Sequence, residues 1–250
     1  MSDFFQPGVI TTLHHLKKMN LERIEMELEF YSRYNPIALV LPSLYSELKE
    51  KALKTIVSEI KRVKYINQII VTLGRANKEE FEHAKEFFSV LPQETIIVWN
   101  DGDRVKSLYD ILDKNDISAG EDGKGRSTWM AFGYVLASEK SEVIVLHDCD
   151  ITSYDREFIA RLCYPVTNPN LGYEFCKGYY ARVTNKMHGR VTRLLVTPLL
   201  RSLERLLGHL PFLVYLDSFR YPLAGEFSMI TDLARINRIP WDWGLEVGVL

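Results

Sequence analysis

VIVLHDCDIT, Val143 to Thr152, decides how this chain is read. Val143 to Leu146 is an apolar, β-branched run of the length and composition of a strand buried on both faces. It ends in two carboxylates one residue apart, Asp148 and Asp150. Strand side chains alternate, so the pair would point the same way if the strand continued. Two like charges held close repel unless a cation or water separates them. A hard divalent cation such as Mg²⁺ prefers oxygen ligands and often takes one or two carboxylates plus substrate phosphates. The pair therefore points to a metal-phosphate site, and the competing reading is a solvated strand-end loop. His147 alternates to the opposite face and is not counted as a ligand.

Working outward, the same kind of strand recurs. IALVL (Ile37 to Leu41) is an apolar run ended by Pro42, QIIVTLG ends at Gly74, and TIIVWND is a third. Between them lie an amphipathic helix, Leu48 to Val63, and a charged one, Lys78 to Leu91. Trp129 to Ala137 is helical before the fourth strand. Strands alternating with helices of this length predict βαβ units, hence an α/β fold with a Rossmann-like, mainly parallel sheet flanked by helices. In such sheets ligands bind beyond the carboxyl ends of the strands. LPSLYSE, TLGRAN, WNDGDR and HDCD all fall there. Residues 8 to 34 carry Leu13, Leu16, Met19, Leu21, Ile24 and Leu28 at helical spacing and predict an N-terminal helical arm. After Asp155 the pattern is less regular. YEFCKGYYARV reads as strand-hairpin material, NKMHGRVTRLLVTPLLRSLERLLG as a loop entering a helix, and Thr231 to Ile236 as a further helix.

The composition is that of an ordinary globular chain: 250 residues, 46% hydrophobic, 26% charged, net charge −2. That balance gives no argument for a nucleic-acid partner. No apolar run reaches the roughly 18 residues of a membrane span. Cys149, Cys163 and Cys176 lack metal-ligand spacing, and an odd count without a secretory signal fits a reducing, cytoplasmic setting. The chain stops at GLEVGVL, inside an apolar pattern, so the natural protein is expected to continue or this copy to be truncated.

Three further constellations carry chemistry. GEDGKGRST, Gly120 to Thr128, is glycine-rich and places Lys124 and Arg126 before a helix. Glycines let backbone N–H groups approach a phosphate, and Lys124 would neutralise part of a diphosphate's charge. A mobile loop is the competing reading. HGRVTRLL sets Arg190 and Thr192 after Gly189 at a helix start, where Arg offers a bidentate fork to an anion and Thr a hydroxyl and N-cap. A capped helix with solvated arginines reads equally well. PLAGEF and GLEVGVL each place one acid, Glu226 and Glu246, among apolar residues, where a carboxylate is costly unless paired.

The ordered set LPSLYSE, Lys124-Gly125, HDCD, GRVT, PLAGE and GLEVGVL resembles the GT-A glycosyltransferases that make glucosyl-3-phosphoglycerate. The resemblance runs from Ile37 to Leu250. It implies a GT-A fold, with residues 1–34 as arm, 35–155 as nucleotide-sugar-binding half and 156–250 as acceptor-binding half of one continuous domain. It implies retaining transfer of glucose from a nucleotide sugar, UDP- or GDP-glucose, to the 2-hydroxyl of D-3-phosphoglycerate, with Mg²⁺, Mn²⁺ or Co²⁺, by a homodimer. The implied nucleotide-sugar contacts are Pro42, Leu44, Glu47, Lys124, Asp148, Cys149 and Asp150. Asp150 and Asp148 would hold the metal. Gly189, Arg190, Val191 and Thr192 would bind the acceptor. Glu246 and Asp150 are the implied catalytic acids, Glu246 orienting the acceptor hydroxyl while the departing phosphate takes its proton. The chain departs from the family in three places. Ser46 stands at a usually acidic position, with Glu47 one later. TLGRAN replaces a D-S-type loop. A histidine ligand beyond G-x-E-x-G lies past Leu250. A mannosyl donor, free glycerate as acceptor, a non-catalytic nucleotide-sugar-binding protein and a nucleotidyltransferase remain alternatives.

Overall fold

A computed structural model describes residues 10–13, 20–180, 190–242 and 244–250. In chain order, α1 is Leu21–Tyr31, β1 Ile37–Leu44, α2 Lys51–Ile60, β2 Ile66–Gly74, α3 Lys78–Phe88, β3 Glu94–Trp99, α4 Asp103–Lys114, α5 Lys124–Ser138 and β4 Val143–Leu146. There follow α6 Arg156–Thr167, β5 Phe175–Lys177, α7 Thr197–Leu207, α8 Pro211–Ser218, β6 Phe227–Ile230, α9 Thr231–Ile236 and α10 Leu245–Gly248. The six strands form one sheet in the order β3-β2-β1-β4-β6-β5. β1 pairs in parallel with β2 and β4, β2 in parallel with β3, and β4 antiparallel with β6.

The apolar runs read as strands because the sheet is covered on both faces. Alternate residues of β1 feed two cores. Leu39 and Leu41 join Leu53, Ile56, Phe88 and Ile159 on one face. Ala38 and Val40 join Phe132, Val135, Phe227 and Leu245 on the other. Pro42 does not end β1. The strand runs on to Leu44 paired with β2, while its pairing with β4 stops at Val40↔Leu146. A residue without an N–H is tolerated where the ladder is one-sided.

Two further expectations change. Among the described residues the predicted N-terminal helix is Leu21–Tyr31, and residues 11–13 are not helical. Leu16 and Met19 lie outside the described residues. α1 is also no detached arm. Leu28 is fully buried, and Glu25 takes Arg156 of α6 at 3.1 Å. The hairpin material yields only the three-residue β5, and residues 181–183 lie outside the description.

The chain forms two compact units. One comprises residues 20–176 and 225–249 and contains the sheet from β1 to β4 with β6. The other includes 177–224 and contains a π-helical turn at Thr192–Val196 leading into α7 and then α8.

Candidate active site

Within the sheet unit, chain order reverses at β1. The strands proceed outward to β2 and β3, and β4 then returns to the other side of β1. The carboxyl ends of β1 and β4 therefore border a switch point, where open α/β sheets leave a crevice for ligands. Pro42, Leu44 and Glu47 come from the end of β1, and Asp148 and Asp150 from the end of β4. Glu47 closes the short helical turn Tyr45–Lys49, its Oε2 accepting the Leu44 N–H at 2.9 Å. Burial raises the Glu47 carboxyl above its ordinary range. Hydrogen bonds from Leu44 and Ser43 oppose that shift, and the charges of Asp150 and Asp148 add to it. Three acids thus act on one another at this edge, an arrangement that a cation relieves.

β4 ends at Leu146, so strand alternation does not set the orientation of the acids. Local partners do. His147 is fully buried. Its Nδ1–H donates to the Asp148 carbonyl at 3.0 Å, leaving Nε2 to accept from the Tyr154 hydroxyl at 3.1 Å. Burial lowers its pKa to about 4 against the smaller opposing effects of that hydrogen bond and of Asp148. The ring is therefore neutral and turned inward, as expected for a residue that is not a ligand. The Cys149 side chain is buried in the core, so its expected contact with a nucleotide would come from the backbone.

Lys124 is the first residue of α5. Its Nζ lies 2.6 Å from Asp148 Oδ1 and 2.9 Å from Glu246 Oε1 on α10. Burial works against the ammonium charge, and the two carboxylates outweigh it, holding the lysine protonated. Three residues spread over 122 positions of sequence thus form one charge cluster. Sequence reasoning named all three but did not join Lys124 to Glu246.

In the glycine-rich segment the glycines make room for protein. A Cβ on Gly125 would lie 1.8 Å from the Pro240 carbonyl oxygen, and one on Gly123 2.5 Å from that of Trp241. Gly120, at φ +71, would meet the Trp241 ring at 2.3 Å. The Arg126 N–H donates to the Trp241 carbonyl at 2.8 Å. Pro240 and Trp241 are thus the seat of the loop, a role their sequence does not announce. Asn100, at the end of β3, was also passed over. Its Nδ2 donates to Ser127 Oγ at 2.8 Å and ties β3 to the first turn of α5.

PLAGE reaches the same edge because β6 runs antiparallel to β4, so its beginning lies beside the end of β4. The register Leu146↔Phe227, extended, sets Gly225 against Asp148, and a Cβ there would come within 2.5 Å of Asp148 Oδ2. Glu226 is fully buried beside it in sequence.

GRVT lies in the helical unit. Gly189 is outside the described residues. Arg190 and Val191 are exposed, and Thr192 is buried. Thr192 is not an N-cap. Val191 before it is already helical, and no side-chain cap bond forms. The Thr192 hydroxyl has no hydrogen-bond partner among the described residues.

Among the described residues no group of three or more His, Cys, Asp or Glu is set to hold a metal ion. Asp148 and Asp150 nevertheless fit a hard cation that draws its remaining ligands from phosphate and water.

No family model matches the chain. Over 250 residues it is 50% identical to the glucosyl-3-phosphoglycerate synthase of Persephonella marina, covering all of this chain and 62% of that protein. It is 39% identical to the synthase of the same name from Methanococcoides burtonii, covering 99% and 61%. The chain is a homologue of these synthases and spans about three fifths of their length. Among solved structures it resembles the Mycobacterium tuberculosis glucosyl-3-phosphoglycerate synthase in complex with Mn²⁺ and UDP-glucose, with TM-score 0.64, 20% identity, and 94% of this chain and 68% of that one covered. The same enzyme with Mn²⁺, UDP and glucosyl-3-phosphoglycerate gives 0.65, 20%, 95% and 70%. The fold is therefore GT-A-like.

Proposed function

We propose that this chain, homologous along its length to glucosyl-3-phosphoglycerate synthases, transfers glucose with retention from UDP- or GDP-glucose to the 2-hydroxyl of D-3-phosphoglycerate. The observation that carries the reading is the convergence of Glu47, Asp148 and Asp150 with Lys124 and Glu246 at the switch point of a GT-A-like sheet.

Pro42, Leu44 and Glu47 would border the nucleotide. Asp150 and Asp148 would hold Mg²⁺, Mn²⁺ or Co²⁺, which when bound supplies neutralising charge to the leaving diphosphate. Lys124 supplies a further positive charge beside it. Gly189, Arg190, Val191 and Thr192 would bind the phosphoglycerate. A buried hydroxyl without a partner costs about 1–3 kcal/mol, which an anionic acceptor at Thr192 would relieve. Glu246 would orient the acceptor hydroxyl, whose proton passes to the departing phosphate. Holding both substrates in this geometry lowers the entropic part of the barrier. We place the enzyme in the cytoplasm, as a homodimer. No described helix is long and apolar enough to cross a membrane.

The test is incubation with Mg²⁺, D-3-phosphoglycerate and a panel of nucleotide sugars, following nucleoside diphosphate release and product mass. Release that depends on phosphoglycerate, gives an α-linked glucosyl product and is lost in Asp150→Ala is the expected result. A mannosyl product or acceptance of free glycerate would move the assignment within the transferases. Tight nucleotide-sugar binding without turnover would make the chain a binding protein.

A further inference from the structure

Asp148 already has a cation. The Lys124 ammonium sits on its Oδ1 at 2.6 Å, closer than its second contact at 2.9 Å with Glu246. Both partners are largely withdrawn from water, the Asp148 side chain 31% and the Lys124 side chain 25% exposed. The backbone bearing Lys124 cannot drift away, because Gly123 and Gly125 on either side are wedged against Trp241 and Pro240. The side chain can swing, since four methylenes separate its charge from that fixed backbone. An ammonium and a divalent cation compete for the same carboxylate lone pairs and repel one another. Two of the three Lys124 donors are already committed to carboxylates, so it leaves Asp148 readily only when another anion accepts it.

We propose that Lys124 is the resident counter-cation of Asp148, and that a divalent cation binds there in competition with it. The free protein then takes up metal weakly. It takes up metal tightly with a nucleoside diphosphate, whose phosphate oxygens receive the displaced ammonium. This rests on reading Asp148 and Asp150 as metal ligands.

The test is equilibrium binding of Mn²⁺, read from the electron paramagnetic resonance signal of the free ion, with and without UDP. For the unaltered chain, UDP should raise Mn²⁺ affinity about tenfold or more, and absence of that coupling overturns the proposal without recourse to any variant. In Lys124→Met, affinity for Mn²⁺ alone should rise about tenfold, and the enhancement by UDP should shrink to within about threefold. Unchanged or weaker binding of Mn²⁺ alone by folded Lys124→Met also overturns it. Asp150→Asn separates the two readings. If Mn²⁺ with UDP binds the parent and is lost in Asp150→Asn while Lys124→Met behaves like the parent, only the competition fails. If no Mn²⁺ binds with or without UDP, the metal assignment falls and the competition with it.

Discussion

A methyl group on Gly125 would press on the Pro240 carbonyl, a backbone atom that cannot rotate away. Overpacking of this kind costs about 1–3 kcal/mol. For a chain of this size, Gly125→Ala should lower Tm by roughly 2–12 °C. It should also weaken UDP binding by shifting Lys124. A Tm within one degree of the parent would show that the segment yields without cost. At His147 the effect is one of protons. The folded ring holds its pKa near 4 because it is buried, whereas the unfolded ring titrates at about 6.5. Between those values only the unfolded state binds the proton, so stability falls as pH drops from about 6.5 to 4, by about 3 kcal/mol in all. Carboxylates titrate in the lower part of that window, so the measurement is the difference from His147→Gln in chemical denaturation. That difference should shrink steadily below pH 6.5, and a constant gap would contradict the buried, neutral ring. Both residues show where sequence reading stopped. Glycines were seen to be needed in GEDGKGRST, but their partner lies more than a hundred residues on. His147 was set apart from Asp148 by alternation, yet β4 ends at Leu146, and it is burial beside Tyr154 that turns the ring inward.

The parallel strands were legible because each is an unbroken apolar run between helices, the pattern that two covered faces demand. β6 was not. FSMI is four residues long and runs directly into α9, too short for a period to register, and its antiparallel direction leaves no trace in sequence. Yet the start of β6 sets Gly225 against Asp148, so this part of the site depends on the least visible strand. Helix ends offer a cleaner case. α3 begins with a reciprocal cap: Asn77 Oδ1 accepts the Glu80 N–H and Glu80 Oε2 accepts the Asn77 N–H, both at 2.9 Å. Asn77→Ala leaves the Glu80 N–H without its acceptor, and the loss of such a cap costs about 1 kcal/mol. The expected drop in Tm is roughly 2–4 °C with nucleotide binding unchanged, since α3 is tied to the sheet through Phe88 and Ala84 rather than through its first turn. A loss of binding at unchanged Tm would place that turn in the site instead.

At the scale of the molecule, the two segments proposed to bind anions divide between the units, Lys124 with the sheet and GRVT with the helical unit. Sequence order placed both but says nothing of their approach. The helical unit also carries a feature that bears on assembly. Leu195, Leu199 and Leu206 recur at helical spacing along the π-turn and α7, and they are 59%, 50% and 79% exposed. The sequence reading gave this stretch as a helix, and the exposure of these leucines places them outside the core. Contiguous apolar surface of this kind marks an interaction face. A two-fold axis would bury the same ridge on both copies with a single set of contacts. Sedimentation equilibrium of the chain should therefore give about twice 29.0 kDa. Leu199→Glu with Leu206→Glu should give the monomer with its far-ultraviolet dichroism unchanged, because neither side chain is buried in the single chain. A parent that stays monomeric at tens of micromolar would show that two copies of this chain do not cover the ridge, and that the homodimer is not built on α7.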